Sequence, residues 1–175
     1  WSIRANVSLL FARQYFYEDR NRKNNWNNGM TVLELGAGPY MPVKEFLPPG
    51  SRHIAADLVK RAEDALVVDL NLSPGEVGRP NKDGDSAVSL ESIRAKMPES
   101  LRLMTMLGVM EYVVDVPRLW TTLRTFNAPV LMTYNALELW GDMEVRKRQG
   151  WINHLSVKDL TNVFHAHNFW CEKMV

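Results

Sequence analysis

A short apolar run ending in two glycines, residues 31–40 (TVLELGAGPY), constrains this chain most. Val32, Leu33 and Leu35 suffice for one buried strand, Glu34 stands near its end, and Gly36 and Gly38 follow at once. Glycine at a strand-to-helix turn adopts backbone angles other residues avoid and lets the main chain approach a ligand closely. A helix starting there would aim its free N–H groups at that ligand. A dinucleotide fingerprint would need glycine at position 41, where Met41 stands, so the ligand expected here is not a dinucleotide.

The pattern recurs. Residues 53–57 (HIAAD) and 66–69 (LVVD) are apolar runs that each end in a carboxylate. Residues 103–109 and 129–134 supply a fourth and a fifth apolar run. Buried parallel strands read as continuous apolar runs, and open α/β sheets bind ligands at their carboxyl ends. Helical patterns lie between the runs, which predicts an α/β fold with a doubly wound, mostly parallel sheet and helices on both faces.

Between the runs, helices are predicted over residues 2–17, 43–47, 59–65, 87–96 and 138–149. Asp115 reads as an N-cap with Pro117 in the first turn of a helix through Phe126. Ser156 and Asp159 read as a capping box that opens a helix to about His167. Residues 18–29 form a polar linker, and residues 73–86, rich in glycine and proline, form a loop that is either a surface insertion or a substrate gate. Residues 169–175 are expected to form a sixth strand. The N-terminal 1–29 serves either as packing for the sheet or as a lid.

ELGAGPY at 34–40, the strand end at Asp57, VVDLN at 67–71 and MLGVMEYV at 106–113 together resemble the class I S-adenosylmethionine-dependent methyltransferases, over roughly residues 30–135. The resemblance implies a Rossmann-like sheet and S-adenosyl-L-methionine as cofactor. That family's sheet usually carries a seventh, antiparallel strand, which this pattern lacks. The resemblance further implies that Gly36, Ala37 and Gly38 lie against the amino acid and ribose, and that Glu34 orients this loop and meets the ammonium group through water. Asp57, beside Leu58, would accept the ribose hydroxyls. Asp69 and the backbone of Leu70 would hold the adenine edge, with Leu107 and Gly108 near the methionine. Related enzymes often show a histidine where Tyr112 stands.

Methyl transfer from a sulfonium needs positioning and exclusion of water more than a catalytic triad, and positioning can be worth ~7–11 kcal/mol. A hydroxyl or amine acceptor needs a base. Of the four histidines, His154 lies in a loop expected on the ligand edge, and imidazole suits proton transfer near neutrality. Tyr134, ending the fifth strand, is the next catalytic candidate. Arg146, Lys147 and Arg148 either bind an acidic substrate or form a solvated last helical turn, the second being the expectation. One cysteine and scattered histidines match no metal site.

The 175 residues fit one domain, 1–175, and a 46% hydrophobic composition supplies a core. A net charge of +1 argues against nucleic acid, and no run is long enough to span a membrane. The lone Cys171 fits a reducing, cytoplasmic setting, and the opening at Trp1 fits a trimmed or partial chain. The expected activity is methyl transfer to a small-molecule or sugar-containing acceptor. The alternatives are a cofactor-binding but inactive subunit and a protein methyltransferase. Oligomeric state is not legible.

Overall fold

The computed structural model describes residues 29–41, 43–81 and 84–171, together with Leu10. The expected helix at 2–17, apart from Leu10, and the linker at 18–28 lie outside the described residues. Five strands form one parallel sheet: β1 (Thr31–Leu35), β2 (Arg52–Asp57), β3 (Leu66–Val67), β6 (Leu101–Leu107) and β7 (Val130–Thr133). Their order is β3-β2-β1-β6-β7, so the winding direction reverses between β1 and β6. The carboxyl edge at such a reversal is where open α/β sheets form ligand crevices.

Alternation along β1 sorts the core. Leu33 and Leu35 stand beside Ile54 and Ala56 of β2 and Met104 and Met106 of β6. Onto them pack α1 (Leu90–Arg94), α2 (Val116–Thr125) and α4 (Val157–Ala166), through Leu90, Ile93, Leu119, Leu123 and Phe164 among others. Val32 faces the other way, with Met30, Val43, Leu103 and Leu107. Among the described residues that second face carries a 3₁₀ turn, Lys44–Phe46, while α1, α2 and α4 pack on the Leu33 face. Each fully buried leucine contributes about 1.5–3 kcal/mol.

The predicted caps form. Asp115 accepts from Arg118 N at 3.0 Å, and α2 gives way at Asn127, whose φ is +51°. Ser156 and Asp159 make both bonds of the capping box, each at 3.0 Å. Trp120 of α2 meets Phe164 and Phe169 edge to face, at 4.6 and 4.8 Å between ring centres.

Five expectations need correction. Residues 59–65 are bends and a turn, not a helix. Residues 73–86 are not a featureless loop: β4 (Val77–Pro80) and β5 (Ser86–Val88) pair antiparallel across a turn in which Asn81 N donates to Asp85 O at 2.8 Å. The helix expected over 138–149 is shortened to α3 (Met143–Arg148), because Gly141 interrupts it and Asp142 caps a new start. Residues 169–171 form no strand, and 172–175 lie outside the described residues. The helix expected at 87–96 begins only at Leu90, with Ser89 as its N-cap.

Candidate functional site

The glycine turn closes the carboxyl end of β1. Gly36 N and Ala37 N both donate to Ala56 O, at 2.7 and 3.2 Å, and Ala37 is buried against Ala55 and Ala65. Gly36 and Gly38 have φ of +68° and +62°, the left-handed region that disfavours side chains. Their surroundings differ. A Cβ on Gly36 would come within 2.2 Å of Val109 Cγ2, whereas a Cβ on Gly38 would meet open space. Gly36 is thus demanded by the protein's own packing, and Gly38 leaves room for something else. Among the described residues the turn runs on to the 3₁₀ turn rather than to an α-helix.

Asp57 ends β2 and caps this turn. Its Oδ2 accepts from Gly38 N at 2.7 Å and its Oδ1 from Val59 N at 3.3 Å. A carboxylate offers about four acceptor positions, so Asp57 retains capacity at the edge. Leu58 beside it is exposed.

Glu34 is placed differently. It is 2% exposed and its Oε2 lies 2.7 Å from His53 Nε2, on the Val32 face of the sheet. Asp69 accepts from Asn71 N at 2.8 Å in a local turn, and Leu70 O accepts from Arg118 Nη2 at 3.1 Å. Asn71 then reaches the segment after β6: its Nδ2 donates to Tyr112 O at 3.1 Å and its Oδ1 accepts from Val114 N at 2.7 Å. Leu107 is buried and Gly108 turns the chain with φ +65°.

At the ends of β6 and β7 lies a cluster centred on Arg146. The expectation of a solvated basic turn fails at this residue: Arg146 is 0% exposed, while Lys147 and Arg148 face solvent. Its Nη1 donates to Asn135 O at 2.7 Å and Trp140 O at 3.0 Å. Its Nη2 donates to Tyr134 Oη at 3.3 Å and Asn153 O at 3.4 Å. Its Nε donates to His154 Nδ1 at 3.0 Å. The Trp151 ring, centred 4.9 Å away, covers the guanidinium. Glu111, also buried, accepts from Asn135 N and Nδ2 at 3.1 and 2.7 Å, and its carbonyl receives Ile152 N at 2.9 Å.

Tyr134 Oη donates to Asn153 Oδ1 and accepts from Leu155 N, both at 2.7 Å, and burial first of all raises its pKa above the ordinary value. The structure therefore brings Tyr134 and His154 together through Arg146. Glu111 and Asn153 escaped the sequence reading, and so did the burial of Arg146; Trp140 and Trp151 flank the basic run. Tyr112 is partly exposed, its hydroxyl 3.4 Å from Gln149 O.

A shallow depression of about 280 Å³ lies elsewhere, lined by Lys60, Arg61, Ala62, Glu63 and Asp85. Among the described residues, no three His, Cys, Asp or Glu side chains gather as a metal site would, and no helix is long and apolar enough to cross a membrane. The fold and this edge define an α/β protein with a five-stranded parallel sheet and a glycine turn at the carboxyl end of β1. No protein-family model matches the chain, and no curated protein matches it.

Proposed function

We propose that the chain is a class I S-adenosylmethionine-dependent methyltransferase with a Rossmann-like sheet, acting on a small-molecule or sugar-containing acceptor. The observation that carries the reading is the pairing of an open, left-handed Gly38 with the Asp57 carboxylate, beside the reversal of strand order. The residues fit the cofactor: Gly38 leaves space against the backbone, and Asp57 has acceptor capacity for ribose hydroxyls. The cofactor, when bound, supplies an electrophilic methyl group. Ala37 and Leu58 would flank the ribose, Asp69 and Leu70 would take the adenine edge, and Leu107 and Gly108 would border the methionine. Glu34, whose Oε2 faces His53, would orient the loop from beneath.

His154 and Tyr134 would bound the acceptor side. A cytoplasmic setting goes with this reading. The test is calorimetric titration with S-adenosylhomocysteine, for which saturable heat with one site per chain is expected. Absence of binding would overturn the proposal. A second reading, a cofactor-binding subunit without transferase activity, is favoured by the engagement of Tyr134 Oη and His154 Nδ1 in the Arg146 cluster. Binding without turnover across a broad acceptor panel would select it.

A further inference from the structure

The Arg146 cluster determines what His154 can do. A guanidinium has only donors, so the nitrogen facing Arg146 Nε, His154 Nδ1, must offer a lone pair. A neutral imidazole with its lone pair on Nδ1 carries its proton on Nε2. The ring cannot exchange these roles without losing the bond, and the guanidinium cannot turn away. Nη1 is anchored to two backbone carbonyls and Nη2 to Tyr134 Oη and Asn153 O, with the Trp151 ring against its face. The charged and titratable groups around the ring's partner are Glu111 from the 3₁₀ turn Met110–Tyr112 and Tyr134 from the end of β7. His154 Nε2 makes no hydrogen bond to any described residue, and the ring is only partly buried.

Tyr134 offers no alternative base. Its hydroxyl already donates once and accepts from Leu155 N and from Arg146 Nη2, which fills the capacity of a phenol.

We propose that Arg146 is a positioning residue that fixes His154 as an Nε2–H donor, and that this donor holds a ligand by an acceptor oxygen instead of removing a proton from it. The second half rests on the methyltransferase reading of the edge; the first does not. The ligand class is one that presents a carbonyl, carboxylate, phosphate or ether oxygen to the loop at 151–155. The attacking atom of the acceptor then needs a different proton sink, or none.

The experiment is nuclear magnetic resonance on the full chain with ¹⁵N-labelled histidine and arginine. In the wild type, His154 is expected to show an unprotonated Nδ1, a protonated Nε2, and a scalar coupling through the hydrogen bond to Arg146 Nε. An arginine not hydrogen-bonded to the ring would give no such coupling. An Nδ1–H tautomer, a mixture of tautomers, or a missing coupling would overturn the positioning role without needing any variant to fold. Inorganic phosphate, which presents only oxygens, is then titrated against chloride at matched ionic strength. The Nε2–H resonance should shift saturably, and His154→Leu should abolish the linked shifts of its neighbours. If phosphate moves no His154 resonance, the ligand half falls. Failure of S-adenosylhomocysteine to bind, with the tautomer and coupling present, would sink the methyltransferase reading and leave the Arg146–His154 assignment standing.

Discussion

Replacing Gly36 and Gly38 separately by alanine separates packing from binding. Both positions have φ near +60° to +70°, so each alanine carries a left-handed penalty of roughly 1–2 kcal/mol. At Gly36 the added methyl also collides with Val109 Cγ2 at 2.2 Å. Overpacking of that kind costs about 1–3 kcal/mol. Gly36→Ala should therefore lose about 2–5 kcal/mol, which approaches the whole stability of a marginal domain. Gly38→Ala meets nothing and should lose only the backbone share. Urea denaturation followed by circular dichroism gives both values. Combining Gly36→Ala with Val109→Ala should restore about 1–3 kcal/mol as a coupling energy, since the clash partner is gone. In S-adenosylhomocysteine calorimetry the ranking should reverse: Gly38→Ala intrudes on the open space and should weaken binding, even though it folds better. Equal destabilisation of the two variants, or zero coupling to Val109, would refute the packing argument. Native affinity in Gly38→Ala would remove the open turn as a ligand surface.

Other outcomes follow from the same geometry. Asp57→Ala removes charge-assisted bonds worth about 1.5–3 kcal/mol each, so affinity for S-adenosylhomocysteine should fall at least tenfold in calorimetry; Gly38 N also loses its partner, so Asp57→Asn serves as the milder control. The Ser156 hydrogen bonds hold the Asp159 carboxyl below its ordinary range. A lowered folded pKa contributes stability that is present above the unfolded value and lost as pH falls through the folded one. Urea midpoints should therefore drop in acid more steeply for the wild type than for Ser156→Ala, and parallel acid profiles would count against the capping box. Burial raises the Tyr134 pKa, so its contribution is intact below the ordinary value of 10.0 and lost as pH rises above it. Tyr134→Phe should flatten that alkaline loss in thermal melts.

The strands were legible where local signals agreed with the final packing. Val32, Leu33 and Leu35 with two following glycines could hardly be anything but a buried strand and a turn, and β1 is buried at every residue. Asp115 and Ser156 act within three residues of themselves, so their caps needed no tertiary knowledge. The β4–β5 hairpin escaped because its strands are four and three residues long and include Gly78 and Pro80, residues that read as punctuation. The partnership of Glu34 with His53 depends on the register that sets Val32 beside His53. Nothing in either residue's neighbours along the chain reports that. Arg146 was hidden for a related reason. Its run of three cations suits a solvated helix end, and its burial arises from carbonyls at 135, 140 and 153 that only the fold brings together.

The hairpin has a bearing on how the molecule behaves among copies of itself. Val88 of β5 bridges to Val68 just beyond β3, and Asp69 N donates to Val88 O at 3.0 Å. The margin of the sheet at β3 is thereby occupied. The outward strand, β4, ends in a proline and carries an arginine, which makes it a poor template for a foreign strand. At the opposite margin, among the described residues, β7 pairs with β6 alone and presents Val130, Leu131 and Met132 half-covered. Among the described residues the sheet is closed to a further strand at β3, and its unpaired margin is Val130–Thr133.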